Sequence, residues 1–120
     1  MIVEMAGRPA EHVKTTLEKH VMTLDGVDDI TMHSIKVSEA KEIEESKGAF
    51  ACFAEVDFET ESFGRMSEVM FDFMPSSIEV IEPANMNMGP VDATNLLNNI
   101  SGRMHRYDQA ARMVQGKMYQ

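Results

Sequence analysis

Between Phe50 and Glu59 the chain alternates with period two. Phe50, Cys52, Ala54, Val56 and Phe58 share one side, while Ala51, Phe53, Glu55, Asp57 and Glu59 share the other. Extended backbone sends successive side chains to opposite faces, so this segment calls for a β-sheet with one dry face and one wet, acidic face. Something amphipathic must cover the dry face, and two segments have the required 3–4 spacing. Ala10, Val13, Leu17, Val21 and Leu24 form one stripe, opened by Arg8-Pro9 and closed by Asp25-Gly26. Phe63, Met66, Val69, Met70 and Phe73 form the other; Ser62 is placed to cap it and Pro75 to end it.

Three further strands complete the pattern. Ile2 to Ala6 is a short strand ended by Gly7, and Ile30 to Ala40 is β-rich. The apolar parity of the second switches between Met32 and Ile35, which predicts a bulge near Ser34. Lys41 to Gly48 is a charged connection suited to a long hairpin with its tip in solvent. Ile78 to Glu82, closed by Pro83, reads as a last strand. The order β-α-β-β-α-β is that of an α+β, ferredoxin-like split βαβ sandwich, here with a long additional C-terminal helix. In architecture alone, with none of their sequence motifs present, the plan resembles the ACT domains, small regulatory domains that bind amino acids, and a fold hosts many functions. Residues 1–83 are expected to form this domain. Residues 84–120 are expected to be a linker and a helix that packs on the domain, dimerises, or does both.

That helix has its own pattern. Ala93, Leu97, Ile100, Met104, Tyr107, Ala111, Val114 and Met118 follow intervals of 4, 3, 4, 3, 4, 3 and 4, an average near the coiled-coil period. From Val91 to Met118 such a helix runs ~42 Å, longer than the ~30 Å diameter of a body of ~90 residues. It therefore overhangs to meet a partner, or it breaks near Ser101-Gly102 or Gly116. Phe53 on the acidic face also needs cover. The expected dimer interface is Phe53 with Leu97, Ile100, Met104, Tyr107, Ala111 and Val114.

Charge narrows the choice of partners. The net charge is −9, and residues 39–61 hold eight acids against two bases. Residues 101–120 hold four bases against one acid. An acidic field repels a phosphate backbone, so nucleic-acid binding is not expected. Glu55, Asp57 and Glu59 instead make an acidic surface for a basic protein partner. No apolar run reaches the ~20 residues that span a bilayer, so no membrane association is expected. The N-terminal residues lack a secretory signal, and one cysteine, Cys52, suits a reducing compartment; both point to the cytoplasm.

No cofactor, metal or catalytic residue stands out. Carboxylates two apart on a strand are ~7 Å apart, too far to chelate one ion. His12 and His20 lie two helical turns apart, and His33 and His105 accompany no ligand motif. Met86 and Met88 are two thioethers with no nearby Cys or His, a poor set for Cu(I). Gly7 and Arg8, at a strand-to-helix turn, could present N–H groups and a guanidinium to an anion. The expected function is a non-catalytic homodimeric interaction or regulatory module. A binding domain for an amino-acid-like or anionic small molecule is the alternative, and a small dimeric enzyme with a site between subunits is the third.

Overall fold

The computed structural model describes the backbone of residues 1–119 and the side chains through Val114. The chain is α+β: one open antiparallel sheet and three helices. It divides into two units, Met1–Ile81 and Glu82–Gln120.

In the first unit, β1 (Ile2–Gly7), β2 (Ile30–Val37), β3 (Lys41–Ile43) and β4 (Ser46–Thr60) form the sheet. All pairing runs through β4, the 15-residue strand that carries the alternation. β1 lies along residues 50–55 of β4 on one edge. On the other edge β2 pairs with residues 54–60 and β3 with residues 46–51. The charged connection is thus drawn into the ladder up to its Glu44-Glu45 turn, further than a solvent loop requires. The expected bulge is present, as a register shift between Met32 and Ser34. At the junction of β2 and β3, the Ser38 hydroxyl accepts a hydrogen bond from the Phe53 N–H at 3.0 Å. The Cys52 thiol donates to the Ser38 carbonyl, also at 3.0 Å.

Helices α1 (Ala10–Met22) and α2 (Phe63–Phe73) cover one face. Val13, Leu17 and Val21 of α1 meet Cys52, Ala54 and Val56 of β4, Val3 of β1 and Val69 of α2 in one buried cluster. Each fully buried Val or Leu contributes about 1.5–3 kcal/mol relative to exposure. Gly7 is part of how closely α1 packs, because a Cβ there would come within 3.3 Å of Val13 Cγ2. Ser62 caps α2 through its hydroxyl, which accepts from the Arg65 N–H at 3.1 Å. Ser67 is buried among the apolar residues of α2 and donates to the Gly64 carbonyl, so it sits in the core without an unmet donor. Met74 closes α2 at φ 45, a left-handed position, just before Pro75.

The expected strand Ile78–Glu82 does not form. One isolated antiparallel bridge joins Ile2 to Ser77, and Ile78, Val80 and Ile81 are exposed. Their β propensity is real, but a strand needs an edge in register, and this stretch leaves the sheet after one bridge.

The second unit is α3 (Pro90–Tyr119), a continuous helix of 30 residues and about 45 Å. Pro90 opens it, and the first backbone bond runs from the Ala93 N–H to the Gly89 carbonyl. It does not break at Ser101-Gly102 or at Gly116. No helix among the described residues is long and apolar enough to cross a membrane.

Candidate functional site

Four features of the chain could carry function. The first is the open face of the sheet. Phe53, Glu55, Asp57 and Glu59 are all exposed, because the pleat that buries Cys52, Ala54 and Val56 turns their neighbours outward. Phe53 sits opposite Glu4 of β1 in the ladder. Lys36 lies across from Glu55, and the His33 Nε2 stands 3.9 Å from a Glu59 oxygen. This face is an apolar spot inside a mainly acidic rim, with Lys36 and Lys41 as its cations. Such a surface can take a basic, partly apolar protein segment, and it is poorly suited to a phosphate backbone.

The second is the Gly7-Arg8 turn. The structure sends the Arg8 side chain across to the hairpin, where a guanidinium nitrogen is 3.5 Å from the Ser46 hydroxyl. Gly48 has φ +83, and an added Cβ there would be 3.8 Å from the guanidinium carbon. Arg8 thus reaches the turn end of the hairpin, where Ser46 starts β4.

The third is a cleft of about 300 Å³ between the end of α1, the following turn and α2. His20, Leu24, Ile30, Arg65, Asp72 and Phe73 are among its walls. Sequence reasoning did not single it out, because its walls come from three separated segments. His20 stacks on Phe73 with ring centroids 4.6 Å apart. Arg65 Nε is 3.1 Å from Asp29 and a terminal nitrogen is 2.6 Å from Glu68. The hydrogen bond to Glu68 first, and then the charge of Asp29, hold the guanidinium above its ordinary pKa despite an opposing contribution from burial. Its charge is matched by two carboxylates, so its main effect is to tie the α1–β2 turn to the first turn of α2. All three side chains are about one third exposed, and a network of that kind is worth on the order of 1 kcal/mol.

The fourth is the stripe on α3. Leu97, Met104, Tyr107 and Val114 are exposed, and Ile100 is half-buried. Ala111 is exposed as well, and the Met118 side chain lies outside the described ones. An Arg112–Asp108 pair at 3.0 Å supports the helix at i,i+4 spacing.

A family model, that of the MJ0538 family, matches residues 1–118 and so spans both units. The chain belongs to the MJ0538 family. No curated protein and no solved structure matches it. The match covers the irregular stretch Ile78–Gly89 and most of α3, so the linker and the long helix are part of the family pattern together with the sheet.

Among the described residues no group of three or more His, Cys, Asp and Glu side chains is arranged to hold a metal ion. Cys52 is buried, with its thiol hydrogen-bonded to a carbonyl.

Proposed function

We propose that the protein is a non-catalytic cytoplasmic homodimer that serves as an interaction or regulatory module, with its first unit a member of the ferredoxin-like class. The antiparallel order β1-β4-β2, with α1 and α2 on one face, supports that class. The observation that carries the functional reading is the α3 stripe. Leu97, Met104, Tyr107 and Val114 are 66%, 60%, 47% and 58% exposed on a helix of 30 residues, at coiled-coil spacing. Apolar side chains repeated at that period gain most by meeting a second helix. In this reading the pairing of α3, with Phe53 covered as part of the interface, sets the oligomer, and Glu55, Asp57 and Glu59 receive a basic protein partner. Membranes and nucleic acids have no part in it.

Sedimentation equilibrium at ~100 μM tests this. A dimer is expected for the natural chain, and a monomer would refute the reading. A small-molecule sensor is the runner-up, with an amino-acid-like or anionic ligand in the α1–α2 cleft. The engagement of Arg65 by Asp29 and Glu68 weighs against an anion there, because the cation that would recognise it is already neutralised.

A further inference from the structure

The edge of β1 that faces away from β4 is only partly used. Met1 and Val56 exchange backbone hydrogen bonds at 2.8 Å each, which sets the alternation along β1. Val3, Met5 and Gly7 then bond toward β4, while Ile2, Glu4 and Ala6 turn their N–H and C=O groups to the opposite edge. There the Ile2 N–H donates to the Ser77 carbonyl at 2.9 Å, and the Ser76 N–H donates to the Ile2 carbonyl at 2.8 Å. Continued in the same register, the next outward residue, Glu4, would stand opposite Pro75, which has no N–H to give. Met74, in its left-handed turn, then carries the chain away into α2. Among the described residues the edge from Glu4 to Gly7 therefore has no strand beside it.

The same molecule carries a strand-like segment without an edge. Ile78, Val80 and Ile81 are 36%, 45% and 70% exposed and belong to no strand. Direction prevents the chain from using its own segment. With Ser77 held opposite Ile2 in antiparallel sense, the residues after it run away from Gly7. To lie along Glu4–Gly7 they would have to release the bridge and reverse.

We propose that Ile78–Ile81 of a second copy fills this edge, each copy giving the other a fifth strand. Four open edge positions match four segment residues. Antiparallel pairing with Val80 opposite Met5 puts Ile78 and Val80 on the helix-covered side, where Val3 and Met5 already contribute to the core. It also sets Glu79 opposite Ala6 and keeps it from standing directly opposite Glu4. Main-chain bonds then run between Ala6 and Glu79 and between Glu4 and Ile81, which is β-augmentation between identical chains. Exchanged reciprocally between two copies, the segments close a two-fold dimer and leave no growing end, whereas one-way donation would propagate.

This inference does not rest on the pairing of α3. The test is a cysteine pair, Ala6→Cys with Glu79→Cys, whose Cα atoms would be ~5.5 Å apart across the new ladder, within disulfide reach. Both natural residues are exposed, so neither substitution disturbs the core. Mild oxidation is expected to convert most of the double variant to a covalent dimer that reduction reverses, while either single variant stays at the chain mass. Adding Ile81→Pro removes the donor that meets the Glu4 carbonyl and is expected to lower the yield at least tenfold. A bridge formed within one chain, no bridge at all, or a yield indifferent to Ile81→Pro would overturn the exchange. Sedimentation of the α3 variant Ile100→Asp with Met104→Asp bears only on α3, so the two readings fail separately.

Discussion

Helices α1 and α3 are written in nearly the same apolar code and meet opposite fates. In α1 the stripe Val13, Leu17 and Val21 is 2%, 0% and 0% exposed, packed on the sheet. In α3 the corresponding positions Leu97, Met104 and Tyr107 are 66%, 60% and 47% exposed. Spacing of 3 and 4 tells which side of a helix gains by leaving water. It does not say what will cover that side. For α1 the cover lies in the same unit; for α3 we assign it to a second copy.

The largest effect that sharpens this contrast is expected at Leu17. Leu17→Ala removes a fully buried side chain from the middle of the cluster and should cost about 2–5 kcal/mol in urea unfolding followed by circular dichroism. Leu97→Ala, the same change at an exposed stripe position, should leave unfolding of the sheet unit within ~0.5 kcal/mol. Equal losses at the two sites would erase the distinction between the helices. Next in size is the double variant Ile100→Asp with Met104→Asp. Charges placed in a helix seam should weaken association by about 100-fold, or about 3 kcal/mol, in sedimentation equilibrium, with the circular dichroism of the natural chain retained. An unchanged association constant would remove α3 from the interface.

Smaller effects probe how the helices end. Ser62→Ala deletes the hydroxyl that accepts from the Arg65 N–H and should cost ~1 kcal/mol, whereas Ser62→Asp should restore most of it. Met74→Gly acts in the opposite direction. At φ 45 a side chain is strained and Met74 is largely exposed, so glycine should stabilise by about 0.5–1 kcal/mol. A loss on that substitution would mean the Met74 side chain has packing value that its exposure conceals.

The smallest effect belongs to the Lys14–Glu39 pair at 2.6 Å, which joins α1 to the loop after β2. The hydrogen bond that the Lys14 ammonium donates to the Glu39 carboxylate raises the Lys14 pKa above its ordinary value, and burial opposes it. A raised cation pKa means folding favours the protonated form. The contribution is therefore whole below the ordinary lysine pKa and is lost as pH rises through the folded value. Glu39→Gln should lower the melting temperature slightly at pH 7 and not at pH 12, and 1 M salt should shrink the difference. A difference that grew with pH would contradict the assignment.

Much of the first unit was legible residue by residue. The alternation from Phe50 to Glu59, the stripes of α1 and α2, the Ser62 cap and the bulge near Ser34 all follow from the chain's local chemistry. The α1–α2 cleft was not legible, since His20, Ile30 and Arg65 meet only once three segments have packed. The sequence offers Arg8 as an anion contact at a strand-to-helix turn, but its reach to Ser46 depends on where the hairpin returns. The composition of Ile78–Glu82 is that of a strand, but its pairing depends on what stands beside β1.

By itself the amino-acid sequence determined periodicity, caps and breaks, because these depend on contacts within a few residues of one another. It settled that β4 has a dry side and a wet side and that α3 runs from Pro90 with an apolar stripe. Tertiary structure alone decided that β1 and β2 flank β4, that β3 extends the second edge, and that Ser77 bonds to Ile2 while Ile78–Ile81 is left without a partner. The physical reason is that strand pairing and helix burial are bargains between distant segments. Backbone donors and apolar faces state what each segment needs, but only the packed chain shows which of those needs a single molecule meets.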